Sequence, residues 1–142
     1  MNIYFSCSLT GGRSHQATYA AIVDDLLRRG HLVPTAHLAR PEVMGEEEAI
    51  APAEVYDRDV AWIEGCDALV AEVSTPSHGV GYEIALALTL GKPALCCYPI
   101  DPTVNRGARV SKMITGNRSR GLRVTEYTGA DPLGCSARSR RF

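Results

Sequence analysis

Between Gly79 and Lys92 the chain carries one charged side chain, Glu83, inside the apolar helical run Tyr82-Glu-Ile-Ala-Leu-Ala-Leu-Thr-Leu90. A helix this apolar has to be buried, so the chain must supply a core able to enclose it. Directly before it come a short apolar strand, Ala68-Leu-Val-Ala-Glu-Val73, and the loop Ser74-Thr-Pro-Ser-His-Gly-Val-Gly81. A strand, a polar loop and a buried helix in that order deliver Glu83 to the carboxyl end of a parallel sheet, where α/β proteins keep their ligands. A carboxylate withdrawn from water needs a compensating interaction. Position alone leaves two readings open, a catalytic nucleophile and an interaction with the helix N-terminus.

The remaining elements alternate in the same way. Ile3 to Ser6 reads as a first strand, followed by a helix from Ser14 or His15 to Arg29 whose apolar residues Tyr19, Ile22, Val23, Leu26 and Leu27 repeat at helical spacing. Gly30 closes it. His31 to Pro34 is expected as a second strand, then a polar loop to about Ile50 with Glu46-Glu-Glu48 as a solvated face. Pro52 suits a first helical position, and that helix should end near Gly65. Pro93 to Tyr98 and Leu122 to Tyr127 are the fourth and fifth strands, with a short helix between Gly107 and Thr115. Strands joined by crossover helices predict an α/β domain with a five-stranded parallel sheet, spanning residues 1–128. Residues 129–142 lack an amphipathic period and are expected as an irregular basic tail.

At 142 residues the chain has room for one domain, and 45% hydrophobic with 22% charged residues is the balance of a soluble globular protein. A formal charge of -1 argues against a nucleic-acid partner. Arg118, Arg120, Arg123, Arg138, Arg140 and Arg141 make the last quarter basic, which reads either as a solvated end or as a phosphate contact. The cysteines at 7, 66, 96, 97 and 135 have neither zinc-like spacing nor a disulfide framework. Cys96 and Cys97, in an apolar run, read as buried small hydrophobes in a reducing compartment. No segment approaches the length of a membrane span, no membrane partner is expected, and the expected location is cytoplasmic.

Two further features point to a site. On the helix from Pro52, the apolar arc formed by Trp62, Val55, Ile63, Tyr56 and Val60 has Asp59 near its middle, with Asp57, Arg58, Glu54 and Glu64 directed the other way. Asp59 should therefore have a strong partner or a ligand. The loop Cys7-Ser-Leu-Thr-Gly-Gly-Arg13 lies between a strand and a helix, where Ser8, Gly11, Gly12 and Arg13 can meet an anion. Ser74, Thr75, Ser77, Gly79 and Gly81 form a second polar loop. Two such loops at one sheet edge suggest a small phosphorylated or sugar-like ligand; turn chemistry alone is the other reading.

Tyr4-Phe-Ser-Cys-Ser-Leu-Thr-Gly-Gly-Arg13, Asp57-Arg-Asp59, Ala71-Glu-Val-Ser-Thr-Pro-Ser-His-Gly-Val-Gly-Tyr-Glu83 and Val110-Ser-Lys-Met-Ile114 together resemble the 2′-deoxynucleoside 5′-phosphate N-hydrolases, relatives of the nucleoside 2-deoxyribosyltransferases. The resemblance runs over roughly residues 2 to 127. It implies a doubly wound, Rossmann-like sheet, a homodimer with a shared active site, and no metal or cofactor. It further implies Glu83 as nucleophile, Asp59 as active-site carboxylate and Tyr4 as active-site tyrosine. Ser77, Gly79 and Ser111 match groups around the 5′-phosphate, with Ser111 supplied by the second subunit. The implied reaction is hydrolysis of the N-glycosidic bond of a deoxynucleoside 5′-monophosphate through a glycosyl ester on Glu83, releasing base and 2-deoxyribose 5-phosphate. On this reading helix dipole and backbone donors keep Glu83 ionised against desolvation.

Cys7 stands where the family usually has glycine, and Thr10 where it usually has arginine. A Cβ restricts close backbone approach, and the lost arginine removes a fixed cation that Arg13 is the candidate to replace. The loop from Pro99 to Gly107 also looks longer. A ribonucleotide (CMP-type) N-glycosidase, a nucleoside deoxyribosyltransferase and a non-catalytic nucleotide-binding module remain as alternatives.

Overall fold

The computed structural model of the protein describes residues 1–9, 14–100, 110–128 and 132–133. Its elements are β1 (Ile3–Ser6), α1 (Gln16–Arg28), a 3-10 turn (Ala36–Ala39), α2 (Val43–Glu48), α3 (Pro52–Gly65), β2 (Ala68–Glu72), α4 (His78–Thr89), β3 (Ala94–Pro99), α5 (Lys112–Thr115) and β4 (Leu122–Tyr127). The strands pair in parallel in the order β1-β2-β3-β4, with Tyr4 beside Leu69, Ala71 beside Cys96 and Cys97 beside Thr125.

Among the described residues the sheet therefore has four strands and not five. The segment His31 to Pro34 makes a single bridge, Leu32 to Asn2, through Ile3 N–H to Leu32 C=O at 2.8 Å and Leu32 N–H to Met1 C=O at 2.9 Å. Pro34 has no N–H with which to extend the ladder. At the next position the buried Thr35 takes over, its Oγ1 accepting the Phe5 N–H at 2.9 Å. A side chain thus satisfies the edge of β1 where a second strand was expected.

Alternation along the strands sends successive side chains to opposite faces, and each face has its own core. On one, Ile3, Phe5, Val70 and Cys97 meet Tyr19, Ile22, Val23 and Leu26 of α1 together with Leu38 and Val43. On the other, Tyr4, Leu69, Ala71 and Cys96 meet Ile63 of α3 and Val80, Ile84 and Ala87 of α4. Helices on both faces make the domain doubly wound. The helix that follows Gly30 (φ +81) in the chain was not expected: the polar loop contains both the 3-10 turn and α2. The expected helix from Gly107 is α5, with residues 107–109 outside the described residues, as are 101–106 of the long loop and all of 129–142 except 132–133. Cys7, Cys66, Cys96 and Cys97 are buried, and burial pushes Cys96 up to about 12. Among the described residues no helix is long and apolar enough to cross a membrane.

Candidate active site

Tyr4 and Ser6 are two residues apart on β1, so their side chains leave the same face of the sheet, toward α4. Glu83 comes down from that helix to meet them. The Tyr4 hydroxyl donates to Glu83 Oε1 at 2.9 Å and the Ser6 hydroxyl to Oε2 at 2.5 Å. Tyr4 and Ser6 are both fully buried, while Glu83 keeps part of its surface open.

The N-cap of α4 is Ser77, whose Oγ accepts the Val80 N–H at 3.4 Å. Glu83 is thus not in the first turn but in the second, where the dipole field has already fallen off and no free backbone N–H remains. Its donors are side-chain hydroxyls instead. Burial pushes the Glu83 carboxyl up to about 7, against the pull of Ser6 and Tyr4, and the Asp59 charge adds to the rise. Desolvation wins over the stabilising contacts, which reverses the balance expected from the sequence. Burial, and then the Glu83 and Asp59 charges, push the Tyr4 phenol well above its ordinary range, so it stays a neutral donor.

Asp59 does have the strong partner its place on α3 demands. Arg58 Nε donates to Asp59 Oδ1 at 2.9 Å, and the two Nη atoms of Arg58 reach Glu47 Oε1 and Oε2 at 3.0 Å each. His37 Nε2 lies 3.1 Å from Glu47 Oε1. The Arg58 guanidinium sits 4.9 Å over the Trp62 ring, against whose edge His37 also packs. Arg58 therefore does not point away with Asp57, and Glu47 is not part of a solvated face: its side chain is 11% exposed. Tyr56, by contrast, is 53% exposed and pairs with Tyr82. Burial raises Asp59 above the ordinary carboxylate range despite Arg58. It works on Glu47 too, yet the hydrogen bonds from Arg58 and His37 hold Glu47 below that range.

The structure brings Tyr4, Glu83 and Asp59 into one electrostatic unit. Ser77 and Ser111 meet elsewhere, in a groove of about 510 Å³ between α4 and α5 lined also by Gly81, Ala85 and Leu88. Ser111 caps α5, accepting the Met113 N–H at 3.2 Å. Gly79 has ordinary helical backbone, and a Cβ there would meet only Ser77 Oγ, at 3.9 Å. Packing in the free chain does not demand that glycine. Ser8 is fully buried, and its Oγ has no hydrogen-bond partner among the described residues. Gly11, Gly12 and Arg13, like Thr10, lie outside the described residues.

Two buried polar residues stand outside the sequence expectation, Ser6 in the site and Glu72 on the opposite face of the sheet. Ser6 carried a signal in its i, i+2 spacing from Tyr4. Glu72, inside an apolar strand, carried the same signal as Glu83: it is fully buried on the α1 face, accepting from Ser74 Oγ at 2.7 Å and Tyr127 OH at 3.0 Å.

Residues 3–124 match the family described as Nucleoside 2-deoxyribosyltransferase. The chain is 43% identical over 117 residues to the 5-hydroxymethyl-dUMP N-hydrolase of Mus musculus, covering 81% of this chain and 65% of that protein. It is 39% identical over 132 residues to a protein of Methanosarcina mazei provisionally named 2′-deoxynucleoside 5′-phosphate N-hydrolase 1, covering 93% of this chain and 78% of that one. Among solved structures, the Clostridium botulinum CMP N-glycosidase BcmB shares the fold at a TM-score of 0.63, with 18% identity and 93% of both chains covered.

Proposed function

Because the chain belongs to the 2′-deoxynucleoside 5′-phosphate N-hydrolases, a hydrolase family related to the nucleoside 2-deoxyribosyltransferases, we propose that it cleaves 2′-deoxynucleoside 5′-monophosphates through a covalent intermediate on Glu83. The observation that carries this reading is the Glu83 carboxylate, gripped at both oxygens by hydroxyls and left partly open. Cleavage of an N-glycosidic bond develops positive charge on the sugar, and a carboxylate below C1′ collapses onto it as a glycosyl ester. The electron pair of the broken bond leaves with the base, which takes up a proton. Water then attacks C1′, loses a proton and frees Glu83, yielding 2-deoxyribose 5-phosphate. Asp59, raised above the ordinary carboxylate range and aimed by Arg58, suits proton delivery and recovery. Glu83 attacks as the anion, so hydrolysis should rise with pH through about 7.

The 5′-phosphate is assigned to Ser77 and Gly79 of one chain and Ser111 of a second copy. Gly81, Ala85 and Leu88, which line the Ser111 groove, lie roughly 140 to 160° around α4 from Glu83 at 100° per residue. Val80 and Ile84 of the same groove lie nearer, at roughly 60° and 100°. That most of the groove lies across the helix from Glu83 supports the supply of Ser111 by a partner. Hydroxyl and amide donors left without a phosphate lose binding energy, so monophosphates should be preferred over free nucleosides.

Assays of dGMP, dCMP, 5-hydroxymethyl-dUMP, CMP and deoxyguanosine side by side test the reading. Base release from a deoxynucleoside monophosphate well above that from CMP and deoxyguanosine supports it. Faster release from CMP would make the chain a ribonucleotide N-glycosidase, and sugar transfer to an added base in preference to water would make it a transferase. Tight binding of dGMP without any base release would leave a binding module.

A further inference from the structure

We infer that Ser6 is a positioning residue of this site, whose hydroxyl aims the Glu83 carboxylate and favours its anionic form. The inference rests on the reading of Glu83 as the nucleophile. Ser6 ends β1, where its backbone is held in register beside Ala71 of β2. A side chain on a paired strand has little freedom to wander, and this one is fully buried. Its contact with Oε2, at 2.5 Å, falls in the range of a hydroxyl donating to an anion.

The proton inventory explains why the contact matters. Ser6 and Tyr4 each have one hydroxyl proton, and each gives it to a different oxygen of Glu83. An ionised carboxylate accepts both without conflict. A protonated one turns one of its oxygens into a donor, and the hydroxyl facing that oxygen must then redirect its own proton. The pair of hydroxyls therefore selects against the acid. Ser6 and Tyr4 both oppose the desolvation that raises Glu83, and Ser6 is the stronger of the two. Tyr4 cannot cover for a missing Ser6, because it is engaged at the other oxygen.

The test uses Ser6→Ala and Ser6→Thr in the full chain, with the Glu83 carboxyl followed by carbon-13 NMR and assigned by its absence in Glu83→Gln. Loss of a hydrogen bond to a charged group predicts that Ser6→Ala raises the Glu83 titration midpoint by about one to two pH units. Ser6→Thr keeps the hydroxyl and should titrate within about half a unit of the wild type. The acid limb of kcat/KM should move up with the NMR midpoint in Ser6→Ala, and kcat above the limb should fall more than KM rises. A purely structural role would move neither the limb nor the midpoint. An unchanged midpoint in a folded Ser6→Ala protein overturns the inference. Should alanine prevent folding, Ser6→Cys replaces the hydroxyl with a weaker donor and should give an intermediate rise; no rise there also overturns it. The titration needs no substrate, so failure of the wild type to cleave any monophosphate would sink the function while leaving Ser6 to be decided by NMR alone.

Discussion

Replacing Glu83 with glutamine should abolish activity and stabilise the protein above neutral pH, a pairing that few substitutions produce. The carboxyl has an ordinary value of 4.5 and is pushed up to about 7 in the fold. The folded state therefore binds a proton more tightly than the unfolded chain between those two values. For an acid raised in this way the sign runs against stability: the protein loses free energy of folding as pH rises through the interval. The gap corresponds to roughly 3 kcal/mol at about 1.4 kcal/mol per pH unit.

Glutamine keeps the shape, carries no charge, and can pair with Ser6 and Tyr4 because a hydroxyl oxygen also accepts. The advantage of Glu83→Gln over the wild type should thus grow by roughly 3 kcal/mol between pH 4.5 and pH 8. Urea denaturation at intervals across that range measures the difference directly. Loss of the nucleophilic charge should at the same time lower kcat by at least about 100-fold, or roughly 2.7 kcal/mol of barrier. Parallel stability curves for the two proteins would refute the claim that Glu83 is held ionised at a cost. Near-wild-type turnover would refute its role as nucleophile.

Asp59→Asn should fold and still bind nucleotide, because Arg58 keeps its two bonds to Glu47, but kcat should fall more than KM rises; unchanged kcat with altered thermal stability would make Asp59 a structural anchor. Ser77→Ala removes the N-cap of α4 and should cost about 1 kcal/mol of stability in thermal or urea melts. It should also raise KM for a monophosphate more than for its nucleoside, as should Ser111→Ala, and equal kcat/KM for dGMP and deoxyguanosine would reject both assignments.

Where local signals and tertiary demands agree, the elements were legible. β1, α3 and β4 lie where period, proline position and apolar runs placed them, and Ile63 is buried as its arc requires. The missing strand shows the limit of that logic, since an extended apolar stretch becomes a strand only if a ladder forms along it. Whether Thr35 Oγ1 would cap Phe5 instead is decided by residues 30 positions apart. Asp59 stands out as a carboxylate among apolar neighbours, but its ion-pair network does not, because Glu47 and His37 arrive from α2 and the 3-10 turn, in a stretch whose polar composition reads as loop. The ionisation of Glu83 departs from its sequence expectation for a simpler reason. A start of α4 at His78 moves the residue one turn inward, past the amides that would have held it ionised.

Glu72 and Glu83 make an instructive pair, for both are carboxylates in apolar elements, each held by a hydroxyl from a tyrosine and another from a serine. They face opposite sides of the same sheet, and what separates them is access: Glu72 is fully buried, whereas Glu83 is not. Sealed between Ser74 and Tyr127, Glu72 has no open side for a substrate. Its bonds tie the end of β2 and the start of the loop toward Ser77 to the last residue of β4. Its role should then be mechanical, and Glu72→Gln should behave as the reverse of Glu83→Gln. An amide nitrogen in place of one oxygen sets a donor against a hydroxyl that donated there, and in this sealed site the displaced hydroxyl proton has no open side to turn to, as it has at Glu83. A loss of roughly 1 to 3 kcal/mol of stability at neutral pH should follow, with kcat for the surviving folded protein little changed and any defect appearing in KM through the Ser77 loop. Equilibrium denaturation beside steady-state kinetics separates the outcomes: stability equal to or above the wild type, together with a large fall in kcat, would mean that the buried carboxylate takes part in the chemistry after all.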